Sequence, residues 1–372
     1  MLPRFRRLAA VPRLVSLPGR ADRQRKGVCI YGAIHGGRRR LDPVRALARE
    51  RSVQATAVGG ILLTLLVIWL GRSGLPFERP AAAGLSFAYQ LVVQFVLLGE
   101  TLILIGVIYF VTRRRSVPDM ALRAPARSLA VRETLGMVLY AAAAQGLGYI
   151  IGVTLGGHPI SLHLTGTLYG FSGTVRTWEV YVWVVYNFTA YALIPYAIFR
   201  RRGYSNEQLN LKSSNRRKDA FLIAVVVLLE GAFQLSFNHA IFSLSLRQVL
   251  IGAPSAFLIY FFGTVVPIMV FIYAILMPRY LRITGSAATT VILGGLSYAG
   301  LHIFESWGVF DSLQDTVLSL AFVLLQYFGP GMVKSALTLR TANAWVHVWA
   351  YHAIAPHVTI DTANVVRILR IS

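Results

Sequence analysis

The chain has 372 residues, with 37 Lys and Arg against 15 Asp and Glu, so its formal net charge is +22. It is 55% hydrophobic, and its mean hydropathy is +0.58. This apolar content excludes a disordered chain, and the single cysteine excludes a disulfide scaffold. A basic chain with so few charged residues is typical of a multi-spanning membrane protein, so we expect a lipid bilayer and no nucleic acid as its partner.

Residues 1–54 are a separate basic region. They contain 14 Arg and Lys, and the only acidic residues among them are Asp22, Asp42 and Glu50. The longest apolar run, residues 28–34, is too short to cross a bilayer, and we recognise no signal peptide. The composition favours a disordered cytoplasmic tail. Anchoring to anionic lipid and an organellar transit segment are the alternatives.

Nine apolar segments follow this tail. A helix needs about 20 apolar residues to span a bilayer. The predicted spans are 54–71, 86–112, 134–155, 180–199, 219–238, 248–277, 287–304, 313–330 and 342–360. The sixth contains Pro254 and Pro267, which predicts a kink or a tilt. The ninth is the least apolar, which leaves a partly re-entrant path open.

The basic residues indicate the orientation of these spans. With the N-terminus inside, 31 Arg and Lys lie on the inner side, Lys334 among them, and 6 lie on the outer side. This asymmetry is the one described by the positive-inside rule. We therefore predict an all-α, multi-pass transmembrane helical bundle of about nine spans in the cell (cytoplasmic) membrane. Its predicted regions are a tail 1–54, N-terminal helices 55–199, a basic cytoplasmic loop 200–218, a helical core 219–362 and a C-terminal tail 363–372.

Ionisable residues at membrane depth are the first functional candidates, because each costs about 2.5–3.5 kcal/mol on insertion scales. They are Glu100, Glu230, His302, His347 and His352, and Glu305, His357 and Asp361 follow near the predicted interface. For Glu100 and Glu230 the default interpretation is a protonated carboxyl satisfied by a neighbouring helix. A polar transport pathway is the functional alternative.

His302 and Glu305 are three residues apart, which predicts a shared helix face. A carboxylate beside an imidazole suits a general base or a pair of metal ligands. The alternative is that Glu305 ends the seventh helix at the outer surface, together with Asp311 and Asp315.

His347, His352 and His357 are spaced by five residues, which rotates successive side chains by about 140° on a helix. This disfavours a zinc site built from the three alone, and two of them with His302 would converge more easily. The alternative is that His347 and His357 pack among aromatic rings. His357 and Asp361 are four apart, which predicts a hydrogen-bonded or ion-paired surface turn.

Several motifs in the second half of the chain occur in a recognisable order. They are RRGYSNEQLNL at 201–211, LMPRYLR at 276–282 followed by Gly-Ser, YAGLH at 298–302, and LRT at 339–341 leading into His352. In this order they resemble the CAAX-protease and bacteriocin-processing family of intramembrane endopeptidases. The resemblance covers about residues 200–360.

The resemblance implies a glutamate that activates water and histidines that stabilise the developing oxyanion. His302 and His352 match the family histidines, but the positions of the family's Glu-Glu pair hold Ile268 and Met269. Its arginine position holds Tyr273. A substitute base is therefore required.

Glu305 is the nearest candidate for this base, and Glu230 or Glu100 could serve through helix packing. The family's Asn or Asp after the last histidine is replaced by Pro356. No cofactor is required if a glutamate acts as the base, and a divalent metal at His302 and His352 is the alternative.

Three functions remain open at this stage. The first is hydrolysis of membrane-associated peptides with His302, His352 and Glu305 as catalytic residues. The second is a catalytically inactive relative that binds membrane proteins or peptides as a scaffold. The third is a transporter, which the apparent lack of an internal repeat disfavours.

Overall fold

The computed structural model describes residues 43–77, 84–162, 175–305 and 307–372. Most of the predicted basic tail lies outside these residues. Two compact units are present, one ending at Ala48 and one comprising Arg49–Ser372. In the first, Pro43–Ala48 forms the short helix α1. The second unit begins its first long helix at Arg51, within the region predicted to be a tail.

The described residues form helices joined by turns and loops, and they contain no strand. The long helices of the second unit are α2 Arg51–Leu70, α3 Phe87–Thr112, α4 Arg127–Thr154, α5 Thr177–Arg201, α6 Arg216–Phe237, α7 Leu246–Thr284, α8 Ala287–Gly300 and α9 Leu313–Thr341. Short helices follow, namely α10 Trp345–His347, α11 Ala355–Thr359 and α12 Thr362–Ile368. In the part of the chain that the structure describes, 3₁₀ turns occupy Gly71–Ser73, Met120–Arg123 and Ala240–Ser243.

Among the described residues, seven helices are long and apolar enough to cross a membrane: α2 to α7 and α9. This agrees with the predicted multi-pass helical bundle. Helix α8 has 14 residues, or about 21 Å, which is shorter than the hydrocarbon core of about 30 Å. The predicted ninth span is broken into α10, a π-helical turn Val348–His352, and α11. The count of nine and the inside position of the N-terminus stay predictions.

The outer surface of the bundle is apolar. Ile103, Leu139 and Leu228 are each about two-thirds or more exposed, at 67%, 71% and 71%. Large contiguous apolar surfaces of this kind are rare on soluble proteins. In a bilayer such apolar side chains face lipid. A helix also satisfies its backbone polar groups internally, as a membrane-spanning segment must.

Helix α7 runs through the interior. In its most apolar window 83% of the residues are buried, against 6% in α2. The irregularity predicted from its prolines takes the form of two π-helical segments, Phe261–Val265 and Met269–Leu276, on either side of Pro267. Proline lacks an amide hydrogen and clashes with the preceding turn, so the backbone departs from regular α-helical bonding there.

The prediction that Lys334 belongs to an inner loop is wrong. Helix α9 continues past Pro330 to Thr341, and the side chain of Lys334 is buried within the bundle. Proline is tolerated inside membrane helices because neighbouring helices and side chains satisfy the backbone groups that it leaves unbonded. The lysine therefore joins the buried ionisable residues.

The motif at 201–211 has a structural role at the arginine-rich end of the bundle. The Tyr204 hydroxyl donates to both carboxylate oxygens of Glu133, each at 3.0 Å. Arg279, from the LMPRYLR motif, binds the same carboxylate through Nε at 2.8 Å and Nη2 at 2.7 Å. Burial raises the pKa of the Tyr204 hydroxyl above its ordinary value, so the group remains a donor at neutral pH. We call Glu133, Tyr204 and Arg279 the arginine clamp.

Asn210 of the same motif joins further segments. It adopts a left-handed backbone conformation with φ of 54°, which asparagine tolerates better than most residues. Its side-chain Nδ2 donates to the backbone carbonyl of Tyr273 at 3.1 Å, and its side-chain Oδ1 accepts from Nη1 of Arg123 at 2.7 Å. Its own carbonyl accepts from the amide of Ala344 at 2.7 Å. The loop therefore ties α7 to the start of α10, where the candidate site begins.

Candidate functional site

His302 and Glu305 lie beyond the end of α8, in the turn that follows Gly300. The prediction that they share a helix face is therefore wrong. The His302 ring explains part of this ending, because its Nδ1 lies 2.5 Å from the carbonyl oxygen of Tyr298. The imidazole thus satisfies one of the carbonyls that the end of a helix leaves without an intrahelical donor. The bond also makes Nε2 the nitrogen that gains or loses a proton.

The His302 ring packs against two tyrosines in the interior. Its centroid is 4.3 Å from that of Tyr298 on α8 and 4.1 Å from that of Tyr327 on α9. The histidine is completely buried. Because α8 and α9 pack closely against each other, both tyrosines reach the imidazole, and their own ring centroids are 6.2 Å apart.

Glu305 is buried, with 2% of its surface exposed. Its carboxylate is hydrogen-bonded to the hydroxyl of Tyr327, whose ring stacks on His302. The alternative in which Glu305 ends a helix at the outer surface is therefore wrong. The carboxylate lies beside the same tyrosine that orients the first of the two predicted catalytic histidines.

His352 lies on the π-helical turn after α10 and is also buried. Its ring centroid is 6.0 Å from that of Tyr298. Tyr298, the first residue of the YAGLH motif, therefore contacts both His302 and His352. The fold thus gathers all three sequence-predicted site residues around two tyrosines, Tyr298 and Tyr327.

The other two histidines of this region pack on tyrosines of α7, as the structural alternative predicted. His347 contacts Tyr273 at a centroid distance of 4.1 Å, and His357 stacks parallel on Tyr260 at 4.4 Å. His357 Nδ1 lies 2.8 Å from a carboxylate oxygen of Asp361. The predicted pairing is confirmed, but its predicted surface position is wrong, because α12 packs on α7 and both residues are buried.

The described residues contain no group of three or more His, Cys, Asp or Glu side chains placed to hold a metal ion. Ring centroids of His347 and His352 are 6.0 Å apart, and those of His352 and His357 are 5.2 Å apart. A zinc site needs nitrogen atoms converging on one point at about 2.0–2.1 Å. Within the described residues, the metal alternative at His302 and His352 therefore has no third ligand.

Sequence reasoning missed Lys334 as a member of this site. Its ammonium nitrogen lies 3.6 Å from the centroid of the Tyr298 ring and 5.4 Å from that of Tyr351. A cation over an aromatic face is attracted by the ring quadrupole. The apolar residues that flank Lys334 favour a buried helical position, whereas the charge of the lysine itself is more typical of a loop.

Glu100 on α3 and Glu230 on α6 form a buried carboxyl pair. Their side chains are hydrogen-bonded to each other, and Gln234 donates to Glu230 at 2.7 Å. A hydrogen bond between two carboxyl groups requires a proton on one of them. Each carboxyl thus meets a group from a neighbouring helix, as the default interpretation expects, and Lys334 also interacts electrostatically with Glu230.

These side chains form a continuous buried group that we call the polar core. Its members are Glu100, Glu230, Lys334, Tyr298, His302, His352, Tyr327 and Glu305. Proton donors, proton acceptors and one cation thus succeed one another across α3, α6, α8 and α9. Such residues inside a membrane bundle are candidates for chemistry or for ion transfer.

No protein-family profile, curated protein or solved structure matches the chain.

Proposed function

We propose that the chain is a membrane-embedded hydrolase resembling the CAAX-type endopeptidases, and that it cleaves membrane-associated peptides at the polar core. The observation that carries this proposal is the position of His302 and His352, which both contact the ring of Tyr298 in the interior. These are the two histidines that the motif resemblance assigns to the site. Unrelated buried histidines on separate elements would have no reason to share one tyrosine.

In the proposed reaction Glu305 takes a proton from water as that water attacks the peptide carbonyl. His302 and His352 then donate hydrogen bonds to the oxyanion that develops. Nδ1 of His302 already donates to the Tyr298 carbonyl, so His302 acts as the imidazolium, whose Nε2 also carries a proton to donate. When the tetrahedral intermediate collapses, the peptide C–N bond breaks and Glu305 returns its proton to the leaving amine. Because these side chains are at most 2% exposed, a substrate requires an opening of the surrounding helices.

The test is cleavage of a library of fluorogenic membrane peptides by the purified full-length protein. The variants are His302→Ala, His352→Ala and Glu305→Gln, and the matched control is His239→Ala, because His239 is exposed and distant in sequence from the motifs. We expect each site variant to lose at least about 10²-fold in kcat/KM, the usual contribution of a general acid or base. Cleavage equal to that of the wild type would exclude this site.

The inactive relative is the alternative within the same site. It predicts that peptides bind to the purified chain but are recovered intact. It also predicts that His302→Ala weakens peptide retention, and that no cleavage product forms with either protein. Retention with no cleavage under all conditions would replace the hydrolase proposal by this one.

A transporter is the second candidate, favoured by the buried pair Glu100 and Glu230. Two carboxyls that share a proton near a lysine can exchange protons as helices rearrange. Proteoliposomes loaded with a pH-sensitive dye should then show proton uptake that Glu100→Gln and Glu230→Gln abolish and that Glu305→Gln leaves unchanged. Equal flux in all variants would exclude this role for the pair.

A further inference from the structure

A groove of about 790 Å³ opens at the arginine-rich end of the bundle, away from the polar core. It lies between α4 and the end of α5, together with the loop that follows α5. Gly136 and Met137 line it from α4, and Ile198 lines it from α5. These residues make its deeper part apolar.

The mouth of the groove is basic. Arg132 is exposed and has no ion pair within the described part of the chain, and the side chain of Arg202 is 55% exposed. The one carboxylate there, Glu133, is already bound by Arg279 at 2.7 Å, whereas Arg202 approaches it only to 3.6 Å. The mouth therefore retains an excess of positive charge.

The length of the groove fits one leaflet of a bilayer. From Arg132 to Tyr140 its wall extends over 8 steps of α4, or about 12 Å. Half of a hydrocarbon core of about 30 Å is about 15 Å. An acyl chain that starts at the arginines would thus be lined over most of one leaflet. Gly136 has no side chain, and an added Cβ there would meet no atom within 4 Å, so this part of the groove is empty.

We propose that this groove binds one anionic phospholipid from the leaflet on the arginine-rich side. The guanidinium groups of Arg132 and Arg202 bind the phosphate, since arginine presents a planar fork of donors that matches it. One acyl chain lies along Gly136 and Met137. The proposal is independent of hydrolysis at the polar core, because none of these residues belongs to that core.

The test is native mass spectrometry of the full-length protein titrated with phosphatidylglycerol or with phosphatidylcholine of the same acyl chains. We expect phosphatidylglycerol to bind more tightly, with Arg132→Gln and Arg202→Gln each weakening it about fivefold, the contribution of one basic residue near an anionic surface. Phosphatidylcholine affinity should change much less. Equal affinity of the wild type for both lipids would overturn the anionic specificity.

Two glycine variants of α4 test the acyl chain. Gly136→Leu places a side chain in the groove, whereas Gly146→Leu, on the same helix and outside the groove, also meets no atom within 4 Å at its Cβ. Both changes raise helix propensity, so both variants should fold. We expect Gly136→Leu to lower phosphatidylglycerol binding at least tenfold and Gly146→Leu to leave it unchanged. Equal binding by the two variants would overturn the proposed position of the chain.

Glycerol phosphate distinguishes a lipid from a free phosphate ester. It carries the same anionic group without acyl chains, so we expect no binding at concentrations that saturate the site with phosphatidylglycerol. If glycerol phosphate bound as tightly as the lipid, the groove would be a site for soluble phosphate esters, and the lipid proposal would fail.

Discussion

At its arginine-rich end the bundle pairs a carboxylate with an arginine, whereas in its polar core it places two carboxyl groups side by side. In the arginine clamp, one carboxylate receives two nitrogen donors from Arg279 and a hydroxyl from Tyr204. In the polar core, Glu100 bonds to Glu230, and Lys334 lies over an aromatic ring. Both regions are buried, so burial alone does not explain the difference.

The comparison indicates what each region is for. A buried carboxylate with a full set of donors holds its helices in one arrangement, and removing a partner is costly. Like groups that share protons can change protonation with little change in packing. Such arrangements are common at functional sites, because there a group must change state. In this comparison the arginine clamp fixes the packing, whereas the polar core contains the groups that are able to change protonation.

Arg279→Met should produce the largest loss of stability. It leaves Glu133 buried without its cation, and breaking a buried pair in this way costs about 3–5 kcal/mol. The measurement is thermal or chemical unfolding of the purified protein at fixed detergent concentration. Glu133→Gln in the same chain should recover part of the loss, since it removes the isolated charge. A double variant no more stable than Arg279→Met would contradict the clamp.

Asn210→Ala should have an intermediate effect. It removes an acceptor from Arg123 and a donor from the Tyr273 carbonyl, and each buried group left without a partner costs about 1–3 kcal/mol. Alanine also fits the left-handed backbone poorly. Asn210→Gly relieves the backbone only, so its loss should be smaller than that of alanine. Identical losses would show that the hydrogen bonds alone matter.

Lys334→Met should have the smallest effect on stability and is the matched counterpart of Arg279→Met. Both cations are almost completely buried, at 2% and 1% exposure. Because the buried Glu100–Glu230 pair can bind a second proton when the lysine is lost, no isolated charge remains, and we expect a change within about 1 kcal/mol. A loss as large as that of Arg279→Met would show that the lysine is an obligatory ion-pair partner and would remove the contrast between the two regions.

Sequence alone predicted the class of fold because a bilayer restricts the alternatives. A spanning segment must satisfy its backbone internally and present apolar side chains, so hydropathy identifies it directly. Seven of the predicted spans correspond to long apolar helices, and the proline-rich one carries π-helical segments. The histidines and Glu305 could be recognised as candidates from the sequence, because an ionisable group at membrane depth is costly and marks a functional site by default.

Only the tertiary structure decided how these residues meet. Glu100 and Glu230 are paired across two helices that are far apart in the chain, and hydropathy contains no information about that packing. Lys334 was assigned to a loop because its charge outweighed its apolar neighbours, and His302 and Glu305 were assigned to a helix that ends before them. Partner choice depends on which helix faces turn towards each other. That depends on close packing over the whole bundle, which no local pattern records.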